Sequence, residues 1–250
     1  RLDAPMSDLN TVDYLLRHQP QTAAEHFECM VLGEDEAGLR YEMDVLVEIL
    51  PPGSRCFFWK GLLAHRLERI DLTAQAALPA ALATRLAQPN LRGRPVTGLS
   101  GLLLTQVPAY HLGVLKVDSQ VTQLLQPGMA AFWRFNRDVQ VELVDTRLQV
   151  MEVSGQEILS RDKVGLRLNL AATWRYTDVL RAFEHLSKPA EHLYRELQLG
   201  LRAAVGTRSL DELLENKQVI DEVVSAHVAR KLPGLGIEVS GVGVKDIVLP

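Results

Sequence analysis

One stretch of this chain is written twice. Gly38 corresponds to Gly113, Pro52 to Pro127, Gly53 to Gly128 and Phe57 to Phe132, each at an offset of 75 residues. Asp71 corresponds to Asp145 at an offset of 74, so one residue is lost after the aromatic pair. The shared unit reads as a strand, a Pro-Gly turn, an aromatic pair and a strand ending in Asp. Pro52 and Pro127 preset φ, and Gly53 and Gly128 supply the positive φ that a type II turn needs. Repeated units of this size complete their cores by leaning on one another, so the second copy must adopt whatever fold the first adopts. Arg1-Leu2-Asp3 looks like Arg69-Ile70-Asp71, the end of such a unit, which predicts that the natural chain begins earlier with another copy.

The stretches between the copies correspond more loosely. Thr11 to His18 is a short helical candidate followed by the strand-like Phe27 to Leu32. Leu78 to Ala87 is another, followed by the apolar Leu99 to Val107. Gln88 to Pro95 carries the Pro, Asn and Gly of a loop.

From Leu148 nothing repeats. Val164, Leu166, Leu168, Leu170, Ala172 and Trp174 alternate strictly with polar or small residues. That is a strand with one buried face. The turn-prone Ser160 to Lys163 joins it to Leu148–Leu159 as a hairpin. Helices are expected over Asp178–His185, Ala190–Val205 and Lys217–Leu232, the second with Leu193, Leu197, Leu201 and Ala204 on one stripe. Gly206 is read as a C-cap, and Ser209-Leu-Asp-Glu212 as a capping box. Ile237–Leu249 returns as a strand, so this half is an α+β layer with helices on one sheet face.

Chemistry is hard to place on these residues. The seven histidines are scattered, with no spacing like that of a helical metal motif. Gly98-Leu-Ser100-Gly101 lacks the full nucleophile-elbow pattern, and Ser154-Gly155 reads as a kink, so a hydrolase built on Ser100 or Ser154 is a remote reading. Gly234-Leu-Gly236 and Gly241-Val-Gly243 lack a following helix and the lysine of a phosphate loop. They read as a tight turn and a bulged strand. No cofactor or metal is implied. A net charge of −4 argues against a general nucleic-acid binder. No run of apolar residues is long enough for a spanning helix. Cys29 and Cys56 read as small buried hydrophobes, and sequence does not exclude a disulfide between them.

The aromatic clusters after each Pro-Gly turn carry two readings. Phe57, Phe58 and Trp59, and Phe132, Trp133 and Phe135, either pack the small core of each unit or lie at a membrane interface. The adjoining Lys60 and Arg134 suit a headgroup boundary.

Three further stretches resemble one family. Val150 to Val164 looks like the hairpin of the SPFH domain (band 7, prohibitin homology). Leu193-Tyr-Arg-Glu-Leu197 running into Leu201–Leu214 resembles its helices, and Gly236–Pro250, with Val-Lys-Asp-Ile, its closing strand. The likeness covers Val107 to Pro250 and is strongest to the slipin or stomatin-like subgroup. It implies an antiparallel-rich sheet covered by helices, here preceded by degenerate copies of the first subdomain. Residues 1–35 would be the remnant of a truncated repeat, 36–109 a repeat, 110–147 the first SPFH subdomain and 148–250 the second. The copies would stack, each burying the open face of the next.

The resemblance also implies a non-enzymatic scaffold on a membrane, the bacterial inner membrane being expected. Such a scaffold self-assembles into rings or cages and organises microdomains or partners such as a membrane protease or an NfeD-like protein. The family's membrane anchor and long coiled-coil helix would lie outside this sequence. The polar helix faces with Glu191, Arg195, Arg202, Asp221 and Arg230 are the expected subunit contacts. A soluble adaptor that binds a protein partner without touching a membrane is the alternative.

Overall fold

The computed structural model describes residues 2–3, 11–61, 63–88 and 93–249, with side chains from residue 14 onward. Arg1, Pro89 to Arg92 of the expected loop, and Pro250 lie outside them. The chain divides into two compact units. One comprises residues 1–107, 116–120 and 128–141, and the other residues 108–115, 121–127 and 142–250.

A first run of elements is β1 (Leu2–Asp3), α1 (Thr11–His18), α2 (Pro20–His26), β2 (Phe27–Val31), β3 (Glu36–Glu42), β4 (Val45–Leu50), β5 (Arg55–Trp59) and β6 (His65–Asp71). A second is α3 (Ala80–Leu86), β7 (Leu102–Val107), β8 (His111–Val117), β9 (Gln120–Leu125), β10 (Gly128–Trp133) and β11 (Val139–Asp145). The sheets of the first run have strand orders β4-β3-β6 and β1-β5-β2. Those of the second are β11-β8-β9 and β10-β7, with an added bridge from Ala77 to Phe132. Gly53 takes φ 69° and the Ser54 N–H bonds the Pro51 carbonyl at 3.2 Å, as the turn reading requires, whereas Gly128 at φ 139° already opens β10 and does not have the φ of a type II turn.

The two runs keep step strand by strand. β3 and β4 match β8 and β9 in both bounds at an offset of 75, and β6 matches β11 at 74. β5 and β10 both end on tryptophan, again at 74, and Phe27 pairs with Trp59 as Leu102 pairs with Trp133. This register corrects the reading from sequence. The missing residue lies in the Pro-Gly turn, before the aromatic strand and not after it, so Phe58 matches Phe132 and Trp59 matches Trp133. A slip of one residue exchanges the two faces of a strand, so the correction decides which aromatics point which way. The start of the chain also moves. Leu2 pairs with Phe57 in β5, as the Leu78 N–H bonds the Ala131 carbonyl in β10. Leu2 therefore takes the place of Leu78, at the entry to a run, and not that of Ile70 near its end.

Each sheet buries the same positions. In the first unit, Ala37, Leu39, Leu46, Ile49 and Ile70 share a core with Leu82 and Leu86 of α3 and with Leu102, Ala131 and Trp133. The opposite face contributes Leu50 to a smaller core with Met30, Leu32, Cys56 and Phe58, against which Leu67 packs. Gly38 fits tightly here: a Cβ would come to 3.0 Å from Leu32 Cδ1 and 3.1 Å from Leu67 Cδ1, so both leucines would have to give way. In the second unit, the matched positions Leu112, Val114, Val121, Leu124 and Val144 join the core of the C-terminal half. Cys29 is exposed and Cys56 buried, with no disulfide between them, so the buried reading fails for Cys29.

The C-terminal half contains β12 (Gln149–Leu159), β13 (Gly165–Tyr176), α4 (Val179–His185), α5 (Pro189–Gly206), α6 (Leu210–Glu215), α7 (Gln218–Lys231) and β14 (Ile237–Val248). Its antiparallel sheet has the order β12-β13-β14. The apolar parity of β13, from Leu166 to Trp174, shares a core with Leu193, Leu197 and Leu201 of α5 and Ile220, Val224 and Val228 of α7. Each leucine buried this way contributes about 2 kcal/mol. Gly155 takes φ 64° at a bulge in β12, where its N–H bonds Asn169 Oδ1 at 2.8 Å. The expected capping box is present at Ser209 and Glu212. Gly206 is no left-handed cap: it is the last helical residue, and Thr207 follows in αR geometry.

Candidate interaction surfaces

The aromatic clusters resolve residue by residue. The alternation of β5 and β10, with both faces of each strand covered, puts Phe57, Phe58, Phe132 and Trp133 in the interior. That burial removes them from any bilayer surface. Phe135 is partly buried and stacks on Trp133 with ring centroids 6.0 Å apart. Only Trp59 is open, at 57% exposure, with the buried Phe27 ring tilted against it, centroids 4.2 Å apart. Its matched partner Trp133 is 0% exposed, and the Trp133 indole Nε1 has no hydrogen-bond partner among the described residues.

Sequence reading missed a charged cluster beneath Trp59. Arg40 and Glu48 are only 9% and 4% exposed, and Arg40 Nε donates to Glu48 Oε2 at 2.7 Å. Arg40 also donates to Glu42 Oε1 at 2.5 Å, lies 4.7 Å from the Phe58 ring centroid, and is backed by Arg94 on Glu42 at 2.6 Å. The hydrogen bond from Arg40 holds the Glu42 carboxyl below the usual range. The matched positions of the second run are Leu115 and Gln123, so the offset alone could have flagged an added polar pair. A hollow of about 360 Å³ opens beside it between Phe58, Trp59, Leu63 and His65.

The aspartates that end the matched strands are held alike. Asp71 Oδ1 accepts from the Thr73 N–H at 2.8 Å, and Asp145 Oδ1 from the Arg147 N–H at 3.0 Å. Hydrogen bonds from the Thr73 and Arg147 side chains, followed by those backbone bonds, lower both carboxyls.

The five charged positions proposed for subunit contacts do not form one patch of equal standing. Glu191, Arg195, Arg202 and Arg230 are exposed, and Glu191 pairs with Lys188 at 2.6 Å. Asp221 is turned inward, its carboxylate accepting the Val244 N–H of β14 at 2.8 Å. Between α5 and α7, Glu196 is buried and accepts from His227 Nε2 at 2.7 Å and from Lys231 at 3.3 Å. Burial acts to raise the Glu196 carboxyl, and the bonds from His227 and Lys231 outweigh it and lower it. At the end of the C-terminal sheet, a groove of about 520 Å³ is lined by Ile158, Leu159, Leu166, Val248 and Leu249, with Glu157 and Arg167 at its rim. Ser100 and Ser154 are exposed. No group of three or more His, Cys, Asp or Glu among the described residues is arranged to hold a metal, and no described helix is long and apolar enough to cross a membrane.

Several known proteins are similar to part of this chain. A stomatin homolog of Pyrococcus horikoshii is 30% identical over 108 residues, 43% of this chain and 41% of its own length. An uncharacterized protein of Methanocaldococcus jannaschii is 27% identical over 141 residues, 56% of this chain and 70% of its own. Mechanosensory protein 2 of Caenorhabditis elegans is 29% identical over 107 residues, 43% of this chain and 22% of its own. This chain thus spans well under half the length of the stomatin homolog. Residues 105–250, the helix-covered sheet together with β8 to β11, match the model of the SPFH domain / Band 7 family, and the chain belongs to that family.

Proposed function

We propose that this chain is part of a non-enzymatic, membrane-associated scaffold that assembles side by side with copies of itself into rings or cages. Such an assembly would gather membrane-protein partners, a protease or an NfeD-like protein among them. The match of residues 105–250 to the SPFH domain / Band 7 family carries the reading. It is supported by the sheet β12-β13-β14, whose two outer strands pair only with β13 among the described residues. Strand edges and exposed charged helix faces suit heterologous contacts, which close into rings when the rotation allows. We further propose that residues 1–71 and 76–145 are two copies of one module, each closing its core on the next segment of the chain.

One observation favours the adaptor reading for bilayer contact. With Phe57, Phe58, Phe132 and Trp133 buried, the aromatic clusters offer a bilayer little beyond Trp59. Membrane attachment, in this proposal, belongs to other parts of the protein.

Mass photometry of the chain on and off a supported bilayer tests the scaffold. Assemblies of discrete mass that Arg202→Glu and Arg230→Glu together disperse support it. A monomer at every concentration, with the fold intact, sinks it.

A further inference from the structure

Trp59 and Trp133 close matched strands, yet one is 57% exposed and the other fully buried. Their surroundings explain the difference. Trp133 lies in the core that contains Leu39, Leu46, Ile49 and Ile70, one face of the sheet β4-β3-β6. Two polar bonds flank that seam. Arg137 donates to the Leu72 carbonyl, and Asn136 donates to the Glu34 carbonyl at 2.7 Å. In the first run Leu63 stands where Arg137 stands in the second, and it is 45% exposed. Large apolar side chains thus occupy two positions that, one copy later, meet the sheet of the preceding run.

We propose that the surface around Trp59, which packs on the buried Phe27, and around Leu63 is a docking face for a further module of the same build. What it receives is the apolar face of a three-stranded antiparallel sheet. The interface is made once already within the molecule, between the second run's Trp133 and the first run's sheet, so the chemistry of the occupant is fixed by that example. A second copy of this chain does not supply the face. Its Leu39 face is covered by Trp133 and α3, and its Val114 face by the core of the C-terminal half. A lipid headgroup is disfavoured because the neighbouring Lys60 ammonium is engaged by the Ala24 carbonyl at 2.7 Å. Strand register and burial in the first unit carry the proposal, which stands whether or not the protein forms rings.

The test extends the full chain at its N terminus by a duplicate of residues 1–76, with Trp59→Phe in the duplicate. Hydroxyl-radical footprinting read by mass spectrometry then reports each native tryptophan separately. Oxidation of native Trp59 should fall from its level in the unextended chain to the level of Trp133. Leu39→Glu in the duplicate should restore it. Oxidation of Trp59 at the unextended rate overturns the proposal. So does a duplicate that stays protease-sensitive, because the face would then have failed to receive the sheet it is said to fit. Protection of Trp59 in the unextended chain by phosphatidylcholine/phosphatidylserine vesicles also overturns it, in favour of a membrane.

Discussion

Single side chains show how one pattern is used in two environments. Trp133 and Trp59 share a register position, so truncating them separates burial from identity. Trp133→Ala should cost about 3–5 kcal/mol and Trp59→Ala under about 0.5 kcal/mol, measured by urea unfolding. Trp133→Phe should cost less than Trp133→Ala, because it keeps most of the ring and removes a buried indole N–H that lacks a partner. The Arg40–Glu48 pair makes a second case. Arg40→Leu alone should destabilise by about 3–5 kcal/mol, since it breaks a buried ion pair by removing one side of it. Arg40→Leu with Glu48→Gln installs the residues found at the matched positions Leu115 and Gln123, and should recover roughly half of that loss or more. The aspartates give the pH dependence. Asp71 and Asp145 have lowered pKa values in the fold, so their stabilisation is present above the ordinary aspartate value and lost as pH falls through the depressed one. Thermal melts should therefore drop below about pH 4, and Asp145→Asn should flatten that drop.

At the level of elements, the parts of the fold that depend on local pattern were legible in the sequence. The alternation of Val164–Trp174 announced β13, and Ser209 with Glu212 announced the start of α6, because burial parity and capping are local rules. The likeness of the two runs was legible through their offset, but the single strand read before each Pro-Gly turn is a pair, β3 and β4 in the first run and β8 and β9 in the second. What could not be read was the register across strands. The deletion sits in a turn, and nothing in the residues Phe57 and Phe58 says which of them matches Phe132. Cross-strand pairing decides it. For the same reason the aromatic clusters, read as candidates for a bilayer, turned out to be mostly interior. The connection between the runs makes its own prediction. Thr97 N–H bonds the Val47 carbonyl and Ile49 N–H the Thr97 carbonyl, laying this segment along β4. Gly98 comes next at φ 80°, where a Cβ would lie 2.2 Å from the Ile49 carbonyl oxygen. Gly98→Ala should lower stability by more than about 1 kcal/mol, seen as a shifted urea midpoint with an unchanged slope.

Across the whole molecule, the feature with the widest reach is that the matched sheets β4-β3-β6 and β11-β8-β9 cover equivalent positions with the next part of the chain. Leu39 is closed over by Trp133 and α3, Val114 by the helices and sheet of the C-terminal half. Among the described residues of that half no further sheet repeats these positions, while on the proposal above the Trp59 side remains open to one more module. Were such a module to dock there, a lineage could gain or lose it without altering the core of the C-terminal half.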